Sequence, residues 1–230
     1  MNLVIATVGD KSLHREWLNE NPNFELVLLY YGDDIDIAKS YTHDTPNVYA
    51  SKGFKWWLIK SFIEDNIDWV STFEYIWFPD DDLQINTESI NKLFEIAQKY
   101  SLWLCQPSLL GYASHKITLP QQNSLLRYTN FVEVMAPMMN LDTVLKLKDT
   151  FDVNYSSWGL DGVWPYLLGH PKDKVAIIDT IIMQHTKPPG NPELYSQIPH
   201  SLEYDTNLAY EKYAPGMSFP HIEYTQIPLN

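Results

Sequence analysis

The sequence predicts an α/β domain in which strands alternate with helices and assemble into one layered sheet. Three observations predict it. Short apolar, β-branched or aromatic runs at residues 3–8, 24–31 and 75–78 each end in an acidic turn. Segments with apolar residues at helical spacing separate or follow them. The length of 230 residues suits a single domain able to bury its own core.

Taken in order, residues 3–8 read as a buried strand closed by Gly9-Asp10, and residues 24–31 as a second closed by Gly32-Asp33-Asp34. Between them residues 12–19 suit a helix capped by Ser12, with Leu13, Trp17 and Leu18 facing inward. Residues 51–66 place Phe54, Leu58, Ile59, Phe62 and Ile63 on one stripe, leaving Lys52, Lys55 and Lys60 off it. Residues 75–78 form a central strand, followed by a helix marked by Ile90, Leu93, Phe94 and Ala97 and capped at Asn86 or Thr87. Strands are expected at 102–106 and 130–136, with a helix from an Asp142 cap to about residue 151. A short helix over 159–168 closes at Gly169, and Pro165 is tolerable only near its first turn. Strands at 174–179 and 181–185 end the globular part, residues 1–187. Proline then becomes frequent and periodicity fades, so residues 188–230 are expected to form an irregular tail packed on the same domain.

Lys and Arg total 16 against 29 Asp and Glu, and the net charge of −13 repels phosphate backbones and anionic membranes. Nucleic acid is excluded as a partner, and an anionic ligand needs a bound cation to offset the field. Cys105 is the single cysteine, so no internal disulfide forms and a cytoplasmic location is the expectation. The first residues lack the basic start of a signal peptide, and no apolar stretch approaches the roughly 20 residues of a transmembrane helix.

Asp80, Asp81 and Asp82 follow directly on Tyr75-Ile76-Trp77-Phe78, with Pro79 at the joint. A strand that buries aromatic residues cannot take adjacent carboxylates inside, so it delivers them to solvent or to a cation. In an extended segment Asp80 and Asp82 point to one side and Asp81 to the other, and two oxygen ligands on one side suit Mg²⁺ or Mn²⁺. A solvated acidic turn is the alternative. In open α/β sheets ligands lie beyond the carboxyl ends of the strands, where the loops at 9–10, 32–34 and 80–82 all belong.

Residues 75–83 (YIWFPDDDL) resemble the DxD segment of GT-A glycosyltransferases. Further stretches resemble the DUF707 glycosyltransferase-like group: Lys52-Gly53-Phe54-Lys55-Trp56, Gln106-Pro107-Ser108, residues 130–137 (NFVEVMAP), Trp158-Gly159-Leu160-Asp161 and residues 175–185. The resemblance implies a GT-A-like, Rossmann-like single domain with a central mixed, mostly parallel sheet flanked by helices. It implies a nucleoside-diphosphate sugar donor, a hydroxyl-bearing carbohydrate acceptor such as a surface polysaccharide, and Mn²⁺ or Mg²⁺ as cofactor. Asp82 then binds the metal, Asp80 contacts metal or ribose, and His185 completes the metal site.

Asp161 is the implied general base, ionised if it keeps an ordinary value near about 3.9, although a helix N-cap explains it equally. Glu133, expected on an apolar strand with Arg127 as its nearest cation, is the second catalytic candidate. Lys52 and Lys55 are candidates for a diphosphate, and Asp33 for the base or ribose, against solvated lysines and turn chemistry. Trp158 and Trp164 are candidates to stack on an acceptor sugar. No G-x-G-x-x-G follows the first strand, so a dinucleotide fold has no support. Two rivals remain open. One is a metal-dependent phosphohydrolase with Asp80 as nucleophile, weakened by Gln84 where haloacid-dehalogenase-type enzymes carry Thr or Val. The other is a non-catalytic nucleotide-sugar or carbohydrate-binding protein.

Overall fold

The first strand, β1 (Asn2–Val8), is buried at every residue because alternate side chains serve two different cores. Val4, Ala6 and Val8 face one hydrophobic cluster, and Leu3 and Ile5 face the other. The structure is a computed structural model that describes residues 1–188 and 196–229. Around β1 lie β2 (Phe24–Tyr30), β3 (Asn47–Ala50), β4 (Tyr75–Trp77), β5 (Leu83–Gln84), β6 (Leu104–Gly111), β7 (Ser124–Thr129), β8 (Met138–Asn140), β9 (Val175–His185) and β10 (Glu223–Pro228). They form one mixed sheet in the order β10-β7-β9-β6-β8-β4-β1-β2-β3, with β5 pairing β9 off that path. The longest ladders, β1 with β2 and β6 with β9, are parallel, while β8 runs antiparallel between β4 and β6.

The helices cover both faces. On one side α4 (Thr87–Lys99) buries Ile90, Leu93, Phe94 and Ala97, the stripe its spacing predicts, and Asn86 caps it by accepting from Ser89 N. A 3₁₀ turn, His14–Leu18, packs on the same side through Trp17, whose indole N–H donates to Leu83 O at 2.9 Å. On the other side lie α2 (Lys55–Asp65), the single turn α3 (Ile67–Val70), α5 (Leu141–Leu147) and α6 (Leu160–Leu167). Trp56 of α2 packs against this layer, its ring centroid 4.5 Å from that of Phe151, which follows α5, and 4.8 Å from that of Trp164 of α6.

Several expectations need correction. The elements not anticipated include α1 (Ile35–Tyr41), capped by Asp34, and the strands β3, β5, β7 and β8. The first helix is a 3₁₀ turn that buries His14 and Trp17, with Leu13 and Leu18 only half-buried. Asn140, not Asp142, caps α5. Pro165 lies inside α6, in its second half, where the missing N–H leaves the Asp161 carbonyl without its usual helical partner. Residues 174–185 make one bulged strand rather than two, with the register slipping between Pro107 and Ser108 of β6. Residues 130–136 are a buried loop, not a strand. The carbonyls of Met135 and Pro137 are drawn to the backbone N–H groups of Asp80 and Phe78, and those of Val134 and Met135 to Lys55, so no ladder forms there.

The tail is irregular only in part, over residues 196–201 and 214–222 of those described. It forms a helix, Leu202–Tyr213, and the edge strand β10. Beside β10 the buried Arg127 guanidinium grips both Asp179 oxygens at 2.9 and 3.0 Å and reaches Glu223 of β10 at 3.0 Å. Arg127 is thus taken by β9 and β10 and does not serve Glu133. Among the described residues no helix is long and apolar enough to cross a membrane.

Removing one member of a buried ion pair leaves the other charge unpaired in a low-dielectric interior, a loss of roughly 3–5 kcal/mol. Arg127→Met should therefore lower the stability measured by urea unfolding by about that amount, whereas Glu223→Gln, at the half-exposed end of the same network, should lower it by less than about 1 kcal/mol.

Candidate active site

Three adjacent carboxylates leave the end of β4, and each finds a different donor. Asp80 turns inward, where Lys55 Nζ meets its Oδ1 at 2.5 Å. The same ammonium contacts the carbonyls of Phe78, Val134 and Met135 at 2.9, 3.1 and 3.0 Å. Burial raises the Asp80 carboxyl and lowers the Lys55 ammonium in spite of their mutual attraction. Asp81 points the other way, its Oδ2 accepting from Gly9 N at 2.7 Å, while its own carbonyl accepts from Leu13 N. Burial raises Asp81 to about 6.

Asp82 faces the end of β9. The antiparallel pairing of β5 with β9 sets Leu83 opposite His185, and Thr186 donates from both its N–H and its hydroxyl to the Asp82 carbonyl. Asp82 Oδ1 then lies 3.5 Å from His185 Nε2, and Oδ2 lies 3.9 Å from Lys187 Nζ. Burial would raise the Asp82 carboxyl, but His185 and Lys187 outweigh it and hold it below the usual carboxylate range. Burial would likewise lower His185, but Asp82 and the Tyr112 carbonyl leave it raised.

Opposite this loop, α6 begins at Gly159, whose φ of 91° is open to glycine and whose missing side chain lets the Thr206 carbonyl of the C-terminal helix approach. Asp161 sits in the first turn, accepts from Gly162 N at 3.0 Å, and is raised to about 6 by burial. Glu133 lies on the buried loop between β7 and β8, fixed by its backbone N–H donating to Gln106 Oε1 at 2.6 Å. Its Oε2 is buried without a hydrogen-bond partner. Burial first, then the charge of Asp161, raises Glu133 to about 7, with a hydrogen bond from Ser114 and the charge of His185 opposing them. Glu133 therefore senses the charges of Asp161, His185 and Asp80, which links the acceptor-side carboxylates to the loop after β4. Asp33 and Lys52 stand apart. Lys52 Nζ meets Asp33 Oδ1 at 2.7 Å and the carbonyls of Tyr31 and Gly32, beside a cleft of about 330 Å³ lined also by Tyr30, Ile35 and Ala38.

Two expected roles change. Trp164 is fully buried in the core and cannot stack on a ligand, whereas Trp158 is exposed. Lys55 has its donors engaged inside the protein and is not free for a diphosphate. Sequence reasoning missed Gln106, Ser114, Tyr112 and Lys187. Only Lys187 carries a signal, an isolated cation two residues beyond His185 in an acidic chain.

The donor set was tested against a divalent ion. Among the described residues no three His, Cys, Asp or Glu side chains form a group able to hold a metal. Two fit in part. Among the described residues Asp82 Oδ1 is buried without a hydrogen-bond partner, and the Tyr112 carbonyl, 2.7 Å from His185 Nδ1, accepts the proton there, so that the imidazole in its neutral form would offer the Nε2 lone pair to a cation beside Asp82. One carboxylate oxygen and one imidazole nitrogen suit Mn²⁺, with other positions left to water and ligand oxygens.

A family model described as "Protein of unknown function (DUF707)" matches residues 7–130. No curated protein matches the sequence. Among solved structures the chain is similar to S. aureus TarS 1-349, with a TM-score of 0.55 at 13% identity over 93% of this chain and 72% of that one. The complex of TarS 1-349 with UDP-GlcNAc gives 0.54 at 14% identity, covering 91% and 70%. Against the S. aureus TarS structure that is not limited to 1-349 the score is 0.53 at 13% identity, and the match covers 91% of this chain and 42% of that one. At such identities the likeness is one of fold, a GT-A-type α/β domain.

Because the folded chain binds the Glu133 proton more tightly than the unfolded one, this group's contribution to stability is fully present below about pH 4.5 and is lost as pH rises through about 7. Glu133→Gln should flatten that dependence, gaining up to about 3 kcal/mol over the wild type at pH 8 and little at pH 4 in urea unfolding.

Proposed function

The chain belongs to the DUF707 family, and from that premise we propose that it is a glycosyltransferase moving a sugar from a nucleoside-diphosphate sugar to a hydroxyl group of a carbohydrate acceptor, with Mn²⁺ or Mg²⁺ as cofactor. The observation that carries this reading is the gathering of Asp82, His185, Glu133 and Asp161 where the strands of a GT-A-type sheet end. The similar TarS fold has been captured with UDP-GlcNAc and with UDP, which supports a donor of that class.

Asp82 and His185 would hold the ion. Bound there, a divalent cation supplies positive charge to the departing diphosphate. Lys187, exposed and beside Asp82, adds a fixed cation facing the same space. The nucleoside end of the donor would enter the cleft beside Asp33 and Lys52, whose wall includes Tyr30 with its hydroxyl donating to Asp10. Asp161 accepts the acceptor proton. Its raised value suits that work, since a base titrating near 6 is ionised at neutral pH yet holds a proton better than an ordinary aspartate. Glu133, near 7 and half-protonated at neutral pH, can donate a hydrogen bond to the acceptor hydroxyl or its neighbour and so orient it. A phosphohydrolase with Asp80 as nucleophile is disfavoured, because that carboxylate is turned inward onto Lys55.

Asp82→Ala should reduce nucleoside-diphosphate release from nucleotide sugars in Mn²⁺ by at least about a hundredfold, and undiminished turnover would remove Asp82 from the site. With acceptor present, kcat should fall as pH drops through about 6, following protonation of the base. Asp161→Asn should abolish turnover across that range. A thermal-shift series of nucleoside diphosphates with and without Mn²⁺ identifies the base, since a ligand bound to the folded state raises the apparent Tm.

A further inference from the structure

We propose that Lys55 is a positioning residue that withdraws Asp80 from the cation site, leaving Asp82 as the one carboxylate ligand that the acidic loop presents. This rests on the metal-dependent reading above and goes beyond it by dividing the Asp-x-Asp pair into a ligand and an internal anchor.

The argument is geometric. The Lys55 side chain is largely buried and its ammonium has four oxygen acceptors within 3.1 Å, more than its three N–H groups can serve singly. Three of them are backbone carbonyls, from the end of β4 and from the loop that carries Glu133. The fourth, Asp80 Oδ1, is the shortest contact at 2.5 Å. Asp80 is also held through its backbone, its N–H donating to Met135 O at 2.8 Å. Its carboxylate therefore cannot swing toward Asp82 without leaving an ammonium buried among uncharged carbonyls.

The Asp82 carboxylate differs. Its contacts with cationic side chains are longer, 3.5 Å to His185 Nε2 and 3.9 Å to Lys187 Nζ, and among the described residues its Oδ1 has no hydrogen-bond partner. Lys55 further ties the acidic loop to the Glu133 loop, so one cation sets the spacing between the metal-side and acceptor-side carboxylates. A lysine suits this task because a compact ammonium satisfies several oxygens from different directions, which a planar guanidinium does not.

The test is Mn²⁺ alone, titrated into the full chain and followed by the electron paramagnetic resonance signal of the free ion. Asp80→Asn should change the Mn²⁺ dissociation constant by less than about twofold, whereas Asp82→Asn should weaken it by at least about twentyfold. Lys55→Met, which removes a nearby positive charge and frees Asp80, should tighten Mn²⁺ binding by roughly fivefold or more, and adding Asp80→Asn to it should reverse that gain. A purely structural lysine would weaken binding in both. If Lys55→Met fails to fold by circular dichroism, the comparison of Asp80→Asn with Asp82→Asn decides alone. Equal losses in those two variants overturn the inference while leaving a metal site in place. A wild-type chain that takes up no Mn²⁺ at a saturable site overturns the metal-dependent reading, and the inference with it.

Discussion

Three neighbouring carboxylates, partly shielded from water in a chain that already carries a net charge of −13, must each be matched by a separate source of positive potential. That requirement organises the molecule around the end of β4. Asp80 takes an ammonium from α2, Asp81 takes a backbone amide from the turn after β1, and Asp82 takes an imidazole and a second ammonium from the end of β9. The three donors come from three parts of the chain, so satisfying the aspartates pins together the halves of the sheet on either side of β4. Electrostatic matching and topology are here one constraint.

The same matching explains how the remaining acids behave. Among the described residues neither Glu133 nor Asp161 forms an ion pair, and burial moves both toward neutrality, opposed at Glu133 by the charge of His185. The contrast with Arg127 is instructive. There a guanidinium is fully engaged by Asp179 and Glu223, and the result is a fastened sheet edge with no chemistry in reach.

Much of the scaffold could be read from local pattern. The helix over residues 87–99 carries a clean apolar stripe and an asparagine cap, β4 is an uninterrupted apolar run, and β1 is apolar apart from Asn2 and Thr7. What escaped has physical causes. The helix at 35–41 buries only Tyr41 fully and exposes Ile35, so its stripe is too thin to see. Residues 130–136 look like a strand because a buried loop and a buried strand are equally apolar, and only long-range partners such as Lys55 tell them apart. The tail is polar on average, yet β10 is recruited by β7 and by Arg127, contacts that no window along the chain contains. The site followed the same rule. The acidic run was plain, whereas the assignment of each aspartate to its donor depended on residues remote in sequence, and the expected shared orientation of Asp80 and Asp82 gave way to it.

Cys105, the lone thiol, lies in β6 between β8 and β9, with no exposed surface and its ionisation pushed well above the usual range by burial. Thiolate is the reactive form, so alkylating reagents meet this sulfur only when the middle strands part. The protein thus carries its own reporter of global opening, and the rate at which it becomes labelled under native conditions measures how often the sheet comes undone, free from interference by any other cysteine.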